Sequence, residues 1–272
     1  MAREAYRSLY GDLTKLKDSS LLDDPGGGSG DDNELFQLLL AVSDSIDGYC
    51  NRHFYPRTST RAFDGAADTQ LTIPDLIAVT TLKSDDDDDG TYETTWATTD
   101  YELLPLNAMP TQHWGTPYHT LRVLGRGTKS QFERGHARYE VEGSWGYRSF
   151  PEASGSVTSG STASSATTMA VTSGADFAVA QTIMAGSEQM LITSISSNTL
   201  TISRGLNGTT AETHATSTAV SILRWPAAVE RAALLNAARI WTRAPAFEPF
   251  YVDVDLDSDV RILLDPYRLG VS

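Results

Sequence analysis

Cysteine is almost absent: Cys50 stands alone, so no disulfide can form within the chain, and this usage fits assembly in a reducing cytoplasm. Long apolar runs are missing as well, and nothing approaches the roughly 20 residues that a membrane-spanning helix needs. The opening MAREAYRSLYGDL lacks the apolar stretch of a secretion signal. Positive charge is scarce, with 21 Lys and Arg against 35 Asp and Glu, a net charge of −14. That balance excludes gripping DNA by phosphate neutralisation, yet it suits a wall past which a polyanion slides without sticking. Catalytic signatures are also lacking. There is no G-x-S-x-G, H-E-x-x-H or C-x-x-C, and His53, His113, His119, His136 and His214 are scattered. The sequence therefore predicts no enzyme, no cofactor and no metal site.

What is present begins with one strongly periodic segment, Glu34 to Pro56. Leu35, Leu38, Leu39, Val42, Ile46, Tyr49 and Cys50 make a single stripe on an α-helix. Asp31, Asp32 and Glu34 stand where carboxylates suit the free N–H groups of a helix start, and Pro56 must lie beyond its end. Before it, Tyr6, Leu9, Leu13 and Leu16 have helical spacing, but Gly11 weakens a continuous helix. DDPGGGSGDD, residues 23–32, reads as a flexible connection, since a phosphate-binding loop would need a Gly-Lys-Ser/Thr ending.

Short β-like runs follow: residues 59–65, 69–74, 77–83, 99–105, 119–125 and 137–147. Each carries β-branched or aromatic residues and is bounded by turn residues. Tyr139 and Val141 alternate with Arg138, Glu140 and Glu142, the pattern of a strand buried on one face. The acidic DDDDDG, residues 85–90, has Trp96 where a calcium loop needs its bidentate glutamate, so it reads as a solvated hairpin tip. His113 and His119 lie in an aromatic loop with Trp114, Pro117 and Tyr118, and no metal site is assigned there.

From Ser154 the composition changes. SGSVTSGSTASSATT has the makeup of a flexible tether. Residues 153–225 hold two basic residues (Arg204, Arg224) and three acidic ones (Asp176, Glu188, Glu212), hence a charge of −1. Five strand-like runs there, with a hairpin turn at Ser197-Asn198, predict a small inserted β-domain. Helical periodicity then returns. AAVERAALLNAARIWTR places Val229, Ala232, Ala233, Asn236, Ala237, Ile240 and Trp241 on one stripe. Ala233, Ala237, Ile240 and Trp241 are the candidates for close packing, either between protomers or against the first helix. YVDVDLDSD alternates apolar and acidic residues like an extended arm, and a short helix carries Val260, Leu263, Leu264 and Tyr267 on one face.

The expected fold class is α+β, with helices packed on a small antiparallel sheet and a small all-β domain inserted. Residues 1–152 and 225–272 form the core and 153–224 the insert.

Taken in order, IDGYCNRHFYP, RAFDG, LTIPDLIAVTTL, DYELLPLNAMP, YEVEGSWGY, PAAVERAALLNAARIWTR and DSDVRILLDPYRL resemble the head–tail adaptor (connector, or head-completion) proteins of long-tailed bacteriophages. The resemblance covers most of residues 31–150 and 226–269. The insert departs from it and looks like a module that recurs in phage virion proteins. The resemblance implies a dodecameric ring below the portal that extends the DNA channel and serves as platform for the next neck or tail protein. DNA would pass without specific binding, no membrane would be involved, and the virion neck would be the location after assembly in the host cytoplasm. It also implies portal docking through the C-terminal segment, with Val254, Leu256, Val260, Leu263, Leu264, Tyr267 and Leu269 as candidates. Two alternatives stand beside docking and beside the adaptor role. The last helix could pack back on its own core. The chain could also be a stopper or tail terminator, or a decoration or adhesion protein acting through the insert. Phe177, the one aromatic in residues 153–224, argues against sugar stacking.

Overall fold

In the computed structural model, residues 6–18, 22, 30–243 and 258–270 are described. The connection at 23–29 and the arm at 251–257 lie outside them. The helices are α1 (Leu13–Asp18), α2 (Asp32–Cys50), α3 (Ala227–Arg243) and α4 (Ser258–Leu264). The first strands are β1 (Arg57–Gly65), β2 (Gln70–Ser84), β3 (Thr94–Thr95), β4 (Tyr101–Leu104), β5 (Tyr118–Val123) and β6 (Gly135–Trp145). The later ones are β7 (Pro151–Val157), β8 (Thr168–Ala170), β9 (Thr182–Ala185), β10 (Glu188–Ser196), β11 (Thr199–Ser203) and β12 (Ala219–Leu223). Helices and antiparallel strands coexist, as an α+β class requires. The chain divides into two compact units, Phe54–Phe150 and Met1–His53 with Pro151–Ser272.

The unit of residues 54–150 is built on an antiparallel sheet in the order β1-β6-β2-β5-β4, with β3 paired to β2. The alternation read in β6 holds: Tyr139, Val141 and Trp145 are buried and the residues between them are half-buried. Gly143 lies on the same buried face, where a Cβ would meet Ala78 O at 2.4 Å. One difference from the sequence reading is that residues 69–74 and 77–83 form a single strand. β2 runs through Pro74, and its ladder to β5 is irregular between Thr72 and Leu76, where a missing N–H does least harm. The core is aromatic. Trp96 stacks on Phe132 at 5.0 Å, and Tyr139 stands edge-on to both. Each such pair of rings adds about 0.5–1.5 kcal/mol beyond its burial. Trp145 Nε1 donates to Ser59 O at 2.8 Å, so the buried indole keeps its partner.

In the other unit, α2 buries Leu35, Phe36, Leu39, Val42, Ile46 and Cys50, and it ends where Asn51 turns left-handed at φ 53°. Leu38 and Tyr49 of the expected stripe are only half-buried. The Cys50 thiol is fully buried, and loss of water pushes its pKa up to about 12. Helix α3 packs on α2 and α4, burying Val229, Ala232, Ala233, Leu234, Ala237 and Ala238. Small alanines permit that approach of helix to helix. The second sheet runs β7-β12-β9-β10-β11-β8, all antiparallel, over a core that includes Met169, Ile183, Met190, Ile192, Leu200 and Val220. The five strands read in the insert are all present, and Ser197 at φ 52° forms the β10–β11 turn.

The serine-rich tract departs from expectation. Its first residues are strand β7, not a tether, paired with β12 and held by side-chain hydroxyls. Ser154 Oγ donates to Val220 O at 2.6 Å, and Ser156 Oγ bonds Thr172 Oγ1 at 2.7 Å. The N-terminal segment is tied to the same sheet. Leu13 N–H donates to Val179 O at 3.1 Å, and buried Ser8 Oγ meets Thr182 Oγ1 at 3.0 Å and Asn207 Nδ2 at 2.8 Å.

Candidate interaction surfaces

Among the described residues five large apolar side chains are exposed: Leu106, Met109, Trp114, Ile240 and Ile262. Three of them belong to the loop between β4 and β5. Ala108, Pro110, Gly115 and Pro117 of that loop are buried and anchor it. Ser149 N–H donates to Pro110 O at 2.9 Å, Thr116 N–H to Ala108 O at 2.8 Å, and the buried Arg148 guanidinium to His113 O. Gly115 lies so close under Met109 that a Cβ would come within 1.8 Å of the Met109 carbonyl oxygen. Met109 itself is held at φ 48°, a conformation that side chains other than glycine adopt at a cost of about 1–3 kcal/mol. The result is a pinned loop with Trp114 57% exposed. From Pro105 to Pro117 it contains no Asp, Glu, Lys or Arg.

The C-terminal helices make a second surface. Ile240 on α3 and Ile262 on α4 are exposed, Trp241 is half-buried, and Arg239 Nη2 pairs with Asp259 Oδ2 at 2.5 Å. Of the docking candidates, Val260 and Leu264 are fully buried within the chain, and Leu263, Tyr267 and Leu269 are half-buried. Leu269 N–H donates to Cys50 O at 3.0 Å, Tyr49 Oη donates to Asp265, and Arg268 lies over the Tyr49 ring. Val254 and Leu256 lie outside the described residues. Of the packing candidates, Ala233 and Ala237 are fully buried inside the chain itself.

The same unit holds a cleft of about 370 Å³ whose walls include Tyr6, Leu13, Phe36, Val179 and Ile195, with Asp32 its single charged residue. Tyr6 meets Phe36 edge-on at 5.7 Å.

Two polar groupings have structural explanations. Among the few charged residues of 153–225, Arg224 pairs with Glu152, and Arg204 reaches the buried Glu188. Its carboxylate accepts Arg204 Nε–H at 2.9 Å, the Gly205 and Glu212 N–H groups at 3.1 Å, and lies 2.9 Å from His214 Nε2. Burial alone would raise its pKa, but these bonds outweigh it and hold the carboxyl below its usual range. At the hairpin tip, Asp85, Asp87, Asp89 and Glu93 bring carboxyl oxygens within 4.8 Å of one another. Asp85 is buried rather than solvated, and it accepts N–H bonds from Asp88 at 2.7 Å and Gly90 at 2.8 Å, so its oxygens already serve the turn. His113 lies against the Phe150 ring and His119 pairs with Asp75 at 3.4 Å, so the two histidines have different partners.

Spacing alone did not reveal the Glu188 grouping, whose members stand 16 and 26 residues apart in the chain. The one available signal was the rarity of charge around them.

No protein-family model matches the chain, and no curated protein matches it. Among solved structures, one in the neck of an empty gene transfer agent particle, computed with C6 symmetry, is similar over 96% of this chain and 90% of that one, at 12% identity and a TM-score of 0.45. Another, in the virion of a native gene transfer agent particle, is similar over 100% of this chain and 97% of that one, at 14% identity and a TM-score of 0.47.

Proposed function

We propose that this chain is a structural virion protein of the neck, forming a head–tail adaptor ring below the portal. In this reading twelve copies extend the DNA channel, offer a platform to the next neck or tail protein, and work without catalysis. Residues 1–152 and 225–272 make the adaptor core, and 153–224 are its insert. The net charge of −14 supports the channel role, because DNA must leave without adhering.

The observation that carries the reading is the pair of long helices, 19 residues in α2 and 17 in α3, packed on each other with α4 against α3. A stopper or tail terminator is expected to be all-β without such a pair. Portal docking falls on Val254 and Leu256 and on exposed positions of the last helix, since Val260 and Leu264 are occupied within the protomer. Ring contacts fall on Ile240 and Trp241 for the same reason, Ala233 and Ala237 being spent on intrachain packing.

Electron micrographs of the purified chain, alone and mixed with portal from the same particle, test this. The expected result is a ring stacked coaxially on the portal. A chain that leaves portal particles unchanged in size and shape refutes the adaptor role.

A further inference from the structure

We propose that the ring is joined, at least in part, by the β4–β5 loop of one copy seating Trp114 in the cleft between α2 and β10 of the next copy. This rests on the reading that the chain self-associates. Four observations favour a second copy as the occupant.

The loop has the properties of an anchor. It is held by buried positions at Ala108, Pro110, Gly115 and Pro117 and by Arg148, so docking orders little that is not already ordered. It keeps Leu106, Met109 and Trp114 in water, although the chain has buried its other tryptophans at least in part. Aromatic side chains on a pinned support are the usual centres of protein contacts.

The cleft has the complementary properties. At about 370 Å³ it falls within the range of clefts that hold small molecules, about 300–1,000 Å³, and it can take an indole. Its apolar wall of Tyr6, Leu13, Phe36, Val179 and Ile195 suits the ring face. Acceptors beside that wall, the second oxygen of the Lys17-paired Asp32 carboxylate among them, suit the indole N–H.

Charge distinguishes this contact from others between copies. Two chains of −14 repel each other wherever their acidic surfaces meet. The loop carries no Asp, Glu, Lys or Arg over residues 105–117, and Asp32, paired with Lys17, is the cleft's only one, so bringing the two together adds no pair of acidic side chains. Finally, knob and hole are different surfaces of the same chain. Such a contact is head-to-tail, the type of interface that a closed ring of identical copies requires.

The test is sedimentation velocity on the intact chain and on Trp114→Asp, Trp114→Phe and Gln37→Trp, the last planting a ring at the cleft from an exposed position on α2. Trp114→Asp and Gln37→Trp should weaken self-association by about thirtyfold or more, as loss of a central aromatic does, while Trp114→Phe retains most of it. All should keep the thermal transition of the intact chain, because the altered side chains are exposed. A photo-crosslinking phenylalanine analogue at 114 should attach to residues 32–37 or 193–195 of a second copy. Rings that form undiminished in Trp114→Asp, or a crosslink mapping elsewhere, overturn the loop contact and leave the adaptor reading standing. An intact chain that stays monomeric at high concentration and beside portal overturns both.

Discussion

Glu188 accepts the Arg204 Nε–H at 2.9 Å with its carboxylate wholly out of water and the guanidinium nearly so. Removing one partner of such a pair leaves an uncompensated charge in the interior, at a cost of about 3–5 kcal/mol. Glu188→Gln and Arg204→Met should each lower the unfolding free energy read from chemical denaturation by that order, and the double variant should recover part of the loss. The Glu188 carboxyl titrates below its usual range in the folded state. Its stabilisation is therefore complete above the ordinary carboxylate pKa and is lost as pH falls through the lowered folded value. In Glu188→Gln this share of the acid sensitivity should be gone.

Asp47 behaves in the opposite sense. Burial raises its pKa from 3.8 to about 7, against the lowering effects of the Tyr10 hydroxyl and of Arg7. The folded chain then holds a proton that the unfolded chain has released, so stability falls as pH rises from about 4 to about 7 and levels off beyond. Asp47→Asn should remove that fall, with a relative gain on the order of 2 kcal/mol above about pH 7, after allowing for the lost Arg7 contact. Unfolding curves for both proteins across that window check it. Parallel curves would show that Asp47 stays ionised in the fold.

Ser8 joins the N-terminal segment to the second sheet through Thr182 and Asn207, and it is completely buried. Ser8→Ala leaves two buried donors short of an acceptor and should cost about 1–3 kcal/mol in thermal stability. For the same reason, excising residues 154–223 should impair folding of what remains, despite the low-complexity composition at the start of that segment.

Removing residues 252–272 takes away Val260 and Leu264, both fully buried, and the Leu269 to Cys50 hydrogen bond. The truncated chain should lose at least about 3 kcal/mol, since each buried aliphatic side chain contributes on the order of 2–5 when its space is left empty. An unchanged melting temperature would show that α4 adds nothing to the core. Portal binding is better probed by Val254→Ser with Leu256→Ser, which leaves those buried positions intact.

Periodicity made the two long helices legible, because Leu35, Leu39, Val42 and Ile46 contrast sharply with their neighbours. It did less well on α3. Alanines give little contrast, so the expected stripe runs through Ile240, which is exposed, and omits Leu234 and Ala238, which are buried. Turn residues marked the strands of the second sheet. Strand β7 escaped because hydroxyl bonds from Ser154 and Ser156 and its pairing with β12 specify it, and neither leaves an apolar pattern. The Glu188 grouping escaped because its parts come from separate strands and loops. The loop at Trp114 was legible as aromatic, but its exposure depends on which neighbours the fold buries.

The burial of Cys50 has a practical side. A thiol with no access to water and a pKa near 12 presents almost no thiolate at neutral pH, so maleimide reagents have nothing to attack while the fold persists. The natural sequence can thus accept one introduced surface cysteine as a unique attachment point for a dye or spin label, with no prior removal of its own.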